Sequence, residues 1–203
     1  MTLWLKVRRA WICIITVLVT VLLIDLSKHL YLAIPNLLGG DMLKMPMPLI
    51  LGIAICIVLG WGLGSGNPPL EAVASRPTQL LDTTYTLAIT LLSLILCIIL
   101  HSISKADVIL AAGRNVLGYA GIMLLGRSFL GSNAATVLPT GFAIIVAMLG
   151  QDQYGRIYDW AWPLAGSEYK LSWVLAAILL IVGITCYLGR MTILNNSAWG
   201  NEN

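Results

Sequence analysis

The sequence predicts an all-α, polytopic membrane protein: six transmembrane helices, both termini cytoplasmic, and short external re-entrant or interfacial helices between spans five and six. Three observations lead there. Hydrophobic residues make up 59% of the 203 and charged ones 10%, against about 45–50% and about 25% in a soluble domain. The apolar residues collect in six runs, about 8–32, 46–65, 82–103, 108–130, 132–150 and 171–190, each close to the roughly 20 residues that a spanning helix needs. Lys6, Arg8 and Arg9 precede the first run, and a basic start to the first helix places the N-terminus inside. The whole chain, 1–203, is then a single transmembrane domain in a cell membrane, multi-pass and of the bacterial plasma membrane type.

The first run opens like a signal peptide, but Asp25, Leu26, Ser27, Lys28 and His29 follow Ile24 where small cleavage-site residues would be needed. It is read as a retained helix whose charged exit reaches the headgroups. Pro46 and Pro48 open the second helix, where a missing N–H matters least. Gly60, Gly62 and Gly64 close it, either as a close-packing small-xxx-small face or as a loosening helix end.

In the fourth run, Arg114 and Asn115 interrupt an otherwise apolar stretch. One reading makes Asp107–Gly113 an external interfacial helix with the span starting near Arg114; the sequence favours it. The other puts Arg114 inside, facing a path or a partner, since charge at bilayer depth marks function. Gly118 and Gly121 share a face that suits close packing, as a subunit interface or an internal contact. Between the fifth and sixth runs, Gln151–Lys170 carries Tyr158, Trp160 and Trp162. Rings with polar tips favour the headgroup level, so this external loop is expected to fold back onto the membrane lipids.

Several chemistries find no support. The +3 formal charge is scattered, which argues against nucleic acid. Cys13, Cys56, Cys97 and Cys186 lie singly within apolar runs, and His29 and His101 lack metal-ligand spacing, so no metal site is expected. Gly121–Ser128, "GIMLLGRS", approaches a phosphate-loop pattern with Arg127 in place of Lys. It lies in a helical run whose N–H groups are committed, so Arg127 reads as a snorkelling cytoplasmic anchor. Nothing converges as an enzyme site, and no cofactor is expected on this chain.

With the N-terminus inside, Arg76, Arg127 and Arg190 join Lys6, Arg8 and Arg9 in the cytoplasm, six cations against the external five, Lys28, Lys44, Lys105, Arg156 and Lys170. Gly66–Asp82 becomes a cytoplasmic loop between spans. Pro68 and Pro69 can start a short helix, Glu71 falls in its favourable first turn, and Leu70, Val73 and Ala74 share one side. Arg76 precedes Pro77, which ends or kinks the piece. Such a helix is suited to a groove on another protein.

The stretch "NPPLEAVASRPTQLLDTTYTLA", Asn67–Ala88, resembles the cytoplasmic connection after the second helix of ABC-2-type transporter permeases, where G-x-L-E-x-L-x-x-x-P precedes the third helix. Leu70, Glu71 and Pro77 match, and Pro69 replaces the usual small residue or Thr. Gly113–Leu149 and "YDWAWPLAG" are similar, more loosely, to small permease subunits of bacterial ABC transporters. The resemblance implies a coupling helix at Pro68–Arg76 seated on a separate ATPase subunit that binds the ATP, with Leu70, Glu71, Val73, Arg76 and Pro77 as its residues. It also implies an amphipathic N-terminal segment, Thr2–Arg9 with Trp4 and Trp11 as anchors, and a second permease chain, like or unlike. At 203 residues the external parts are shorter than is usual in the family.

The function expected from these features is a permease subunit exporting a hydrophobic or amphipathic substrate such as a peptide, lipid or antibiotic. Few polar residues in the spans could hold a charged cargo. The alternative is a non-transporting immunity or accessory protein that binds a partner through the external Trp-rich loop.

Overall fold

A computed structural model of the chain describes residues 6, 8–35, 42–65, 78–131, 134–152 and 154–200. Among the described residues, six α-helices form the body: α1 (Ala10–Leu26), α2 (Pro48–Gly64), α3 (Thr78–Ser104), α4 (Asp107–Phe129), α5 (Ala134–Leu149) and α6 (Lys170–Gly200). Two strands, β1 (Tyr31–Pro35) and β2 (Met42–Pro46), lie between α1 and α2, and a 3-10 helix, Asp159–Leu164, precedes α6. Among the described residues, three helices are long and apolar enough to cross a membrane: α3, α4 and α6 over Lys170–Gly189. These give the chain the character of a membrane protein. Helices α1 and α2, and α5 over Ala135–Leu149, are apolar but shorter.

The outward faces confirm what solvent the bundle is built for. On α1 the inward row is Cys13, Val17, Val21 and Ile24, spaced by three or four residues, while Ile14, Leu18 and Leu22 face outward and are exposed. On α3, Leu91, Ile95, Ile98 and Ile99 face outward likewise. A helix apolar on all sides belongs either in a large core or in hydrocarbon, and these outward residues have no protein over them.

Helix α4 is the centre of the bundle. Of its spanning window 72% is buried, against 28% for α3 and 22% for α6. It packs against α2, α3, α5 and α6, most extensively against α6. Its small residues allow this. A Cβ on Gly121 would meet the backbone of Leu179 at 2.4 Å, and one on Gly183 would meet the Gly121 carbonyl oxygen at 2.5 Å. The α4 and α6 backbones therefore touch at a glycine pair, a geometry favoured where no hydrophobic effect drives helices together.

Side-chain contacts fix the direction of each helix. The starts of α2, α4 and α6 meet through Leu49, Arg114, Asn115 and Ser172, and the end of α3 joins them through His101 and the Ala106 carbonyl, 3.1 Å apart. At the opposite end, Arg8, just before α1, meets Leu63 of α2 and Asp82 of α3, with Arg127 of α4 and Tyr187 of α6 beside them. Consecutive helices thus run up and down.

The strands correct the expectation of an all-α chain. The first helix ends at Leu26, not near residue 32, and the second begins at Pro48, not at 46. Between them β1 and β2 pair antiparallel, Tyr31 with Pro46 through Pro35 with Met42. Five-residue segments bounded by proline are too short for a stable helix, whereas pairing satisfies their backbone groups. Met45 of β2 is buried and joins Leu49, Ala111, Val146, Ala161 and Leu164 in a second, smaller core that seats the hairpin on the bundle.

Candidate functional site

Two arginines, Arg8 and Arg114, are fully buried, at opposite ends of the bundle. A buried cation is costly unless its hydrogens are satisfied, so each marks a place where the fold has arranged acceptors.

Arg114 lies seven residues into α4, about 10 Å from the helix start at 1.5 Å per residue. The helix is continuous from Asp107. The reading favoured by the sequence, an interfacial piece ending at Gly113, is therefore corrected, and Arg114 lies inside. Its guanidinium is saturated by carbonyls of the 3-10 helix and the residues just after it, with Asn115 and Ser172. One terminal nitrogen donates to the Trp162 and Ala165 carbonyls at 3.0 and 2.9 Å and to Asn115 Oδ1 at 2.9 Å. The other donates to the Gly166 carbonyl at 3.0 Å and to Ser172 Oγ. Asn115 Nδ2 adds the carbonyls of Pro163, at 2.9 Å, and Leu49, at 3.3 Å. One cation thus gathers three carbonyls of this loop, of which those of Trp162 and Gly166 also accept the backbone N–H of Ala165 and Tyr169. Among the described residues no carboxylate lies within ion-pair distance of Arg114.

The clamp holds Trp162 within the bundle. Its ring is 3% exposed and lies 5.7 Å from the Tyr119 ring and 6.1 Å from Phe142, centre to centre. Gly118 makes the room, since a Cβ there would meet the Trp162 ring at 2.1 Å. Gly118 and Gly121 both serve contacts within the chain, Gly118 to this loop and Gly121 to α6. The two other aromatic residues of the loop point away: Tyr158 and Trp160 are exposed at 40% and 43% and stack on each other at 6.2 Å. Tyr169, an exposed residue, donates from its hydroxyl to Asp159 at 2.8 Å, which raises its pKa.

At the other end, Asp82 is the focus. Its Oδ2 accepts from Arg8 at 3.0 Å and from the Tyr187 hydroxyl at 3.1 Å, with Arg127 at 3.8 Å. Arg127 in turn donates to the Tyr187 oxygen at 3.1 Å and to the Leu63 carbonyl at 2.8 Å. Arg8 donates to the same Leu63 carbonyl. Two guanidiniums thus cap the C-terminal end of α2, where the helix dipole favours cations, and share one carboxylate. Arg127, read from the sequence as a snorkelling anchor, is corrected: its side chain is 13% exposed and bound on several sides.

Close packing supports this cluster. A Cβ on Gly62 would meet the Arg8 carbonyl oxygen at 2.7 Å, and one on Gly60 would meet Thr136 at 3.2 Å. Neither reading of "GWGLG" holds as expected: the helix runs to Gly64 without loosening, but Gly64 is exposed, and the close contacts are made by Gly60 and Gly62 in place of the pair Gly60 and Gly64. Arg9 lies over the Trp61 ring at 4.0 Å.

Leu70, Glu71, Val73, Arg76 and Pro77 lie outside the described residues. What is described is the pair of anchors that flank them, Leu63 and Asp82. Sequence reasoning named neither, nor Tyr187. Asp82 was visible only as the start of the third helix, and the signal it gave was an acidic residue beside an apolar run. Among the described residues, no group of three or more His, Cys, Asp or Glu could hold a metal ion. Comparison with family models, curated proteins and solved structures finds no match for this chain.

Proposed function

We propose that the chain is the permease subunit of an ATP-driven ABC transporter in a bacterial plasma membrane, spanning it six times with both termini cytoplasmic. It pairs with a second permease chain and exports a hydrophobic or amphipathic substrate. ATP hydrolysis takes place on a separate subunit, reached through the 68–76 segment. One observation carries this reading: the Asp82 cluster. It joins Leu63 at the end of α2 and Asp82 near the start of α3, described residues on either side of 66–77, to α4, to α6 and to the start of α1 through hydrogen bonds. A push on that segment would reach four helices through rigid contacts, and a ligand-driven change moves only what it touches differently in its two states. The "LE" and proline pattern of Leu70, Glu71 and Pro77 supplies the docking element.

The test uses the full chain, expressed in its native membrane and captured in mild detergent. An ATPase with Walker motifs is expected to come with it. Glu71→Ala, or Gly-Gly inserted after Val73, is expected to lower that recovery while leaving membrane insertion intact. Unchanged recovery in both variants contradicts the coupling role.

The exposed Tyr158 and Trp160 stack favours a second reading, an immunity or accessory protein that binds a partner outside the cell. It requires full function with no ATPase, so the same capture separates the two.

A further inference from the structure

Between α4, α5 and α6 the bundle opens a groove of about 440 Å³, lined by Ile122, Val137, Leu138, Phe142, Ile145 and Leu179, with no polar surface in it. Gly141 also lines it, and a Cβ at that position would meet nothing within 4 Å. The groove sits at mid-bundle: Ile122 is fifteen residues into α4 and Leu179 nine into α6. Its wall leads directly to the Arg114 site, because Phe142 stacks on Trp162, and the Trp162 carbonyl is one of the Arg114 acceptors.

We propose that Arg114 and this groove together form a binding site for an anionic amphiphile, an acyl chain carrying a carboxylate or phosphate head, with the 159–166 loop as its lid. Charge complementarity selects the head. Among the described residues Arg114, a buried cation, is held only by neutral acceptors: three loop carbonyls, Ser172 Oγ and Asn115 Oδ1. An anion offers shorter, stronger charge-assisted bonds to a guanidinium, and in a two-pronged geometry that carbonyls cannot match. Beside Trp162, the buried Tyr119 hydroxyl has no hydrogen-bond partner among the described residues and gives the head a further donor.

The apolar lining selects the tail. Arg114 and Ile122 are eight residues apart on α4, about 12 Å, a distance that an acyl chain bridges while its head stays at Arg114. When the lid is seated, its carbonyls hold the place of the head and Trp162 closes the path from the groove. The site serves a transported amphiphile and a resident lipid alike.

The experiment uses the purified full chain in an uncharged maltoside detergent with a palmitate that carries a photoreactive diazirine on its chain. Adducts are mapped by mass spectrometry, with palmitic acid, its methyl ester and dipalmitoyl phosphatidic acid as competitors. Adducts are expected at Ile122 and within 137–145, with the two anionic competitors at least tenfold more effective than the ester. Competition by phosphatidic acid alone assigns the site to membrane lipid; competition by palmitic acid alone assigns it to a free acyl anion.

Gly141→Leu, which fills the groove, is expected to remove the adducts. Arg114→Gln is expected to keep them and abolish the preference for acid over ester. If Arg114→Gln does not fold, the acid and ester comparison in the unaltered protein still decides. Equal competition by acid and ester overturns the proposal, as do adducts unchanged in Gly141→Leu. Crosslinks between two chains through the groove, in place of lipid adducts, overturn it as well.

Discussion

The Arg114 and Asp82 sites solve one problem, a buried guanidinium in an apolar bundle, in two ways. Arg114 takes its ligands from residues close together in the chain: four acceptor carbonyls, its own and those of Asn115, lie within Trp162–Gly166, besides Leu49. The Asp82 cluster takes its members from five places, Arg8, Leu63, Asp82, Arg127 and Tyr187, and neutralises them with a carboxylate. The first arrangement can release one loop and leave the helices in place. The second cannot be opened without loosening every helix end it ties, so the two ends of the bundle differ in how locally they can move.

The largest effect is expected at Asp82. Asp82→Asn removes the carboxylate that Arg8 and Arg127 share, and removal of one member of a buried pair costs about 3–5 kcal/mol; thermal unfolding in detergent is expected to show a loss of that order. A second substitution, Arg8→Gln, is expected to recover part of it, because the surviving charge imbalance falls.

Arg114→Ala should cost less, about 1–3 kcal/mol for the acceptors left without a donor. The change is expected as faster proteolysis within 151–169 with little shift in global unfolding. Gly121→Leu forces a side chain into the Leu179 backbone, with overpacking of about 1–3 kcal/mol expected as a lower unfolding temperature. Trp61→Leu removes the ring under Arg9, a contact worth about 0.5–1 kcal/mol at an exposed site, measurable in the same unfolding assay.

The smallest effect concerns pH. The Tyr169 pKa is raised because its hydroxyl donates to Asp159. The contact is therefore fully present below the ordinary tyrosine range and lost as pH rises through the raised value. Ultraviolet difference titration is expected to show a late-ionising tyrosine that returns to ordinary behaviour in Asp159→Asn.

Helices α3, α4 and α5, and the start of α6, were legible within a few residues, because long apolar runs leave the backbone little alternative in hydrocarbon, whereas α6 runs on past the expected end at 190 to Gly200. The small residues Gly118 and Gly121 also announced the close packing of α4. The hairpin was hidden, since Tyr31 and Leu32 closed one apolar run, Pro46 opened the next, and the residues between read only as a connection. Arg114 stood out as a charge in a run, but not its saturation by carbonyls 48 to 52 residues away. The pairing of Arg8 with Asp82, 74 residues apart, leaves no local mark at all. Each looked like the ordinary charged end of a span.

The most direct test of the difference between the two ends is hydrogen exchange, followed by mass spectrometry, on Asp82→Asn and Arg114→Gln side by side. In Arg114→Gln, faster exchange is expected only within 159–169 and the first turn of α6. In Asp82→Asn it is expected at the ends of α2, α3, α4 and α6 together. Faster exchange spread alike over both ends in either variant would contradict a local lid at one end and a shared tie at the other.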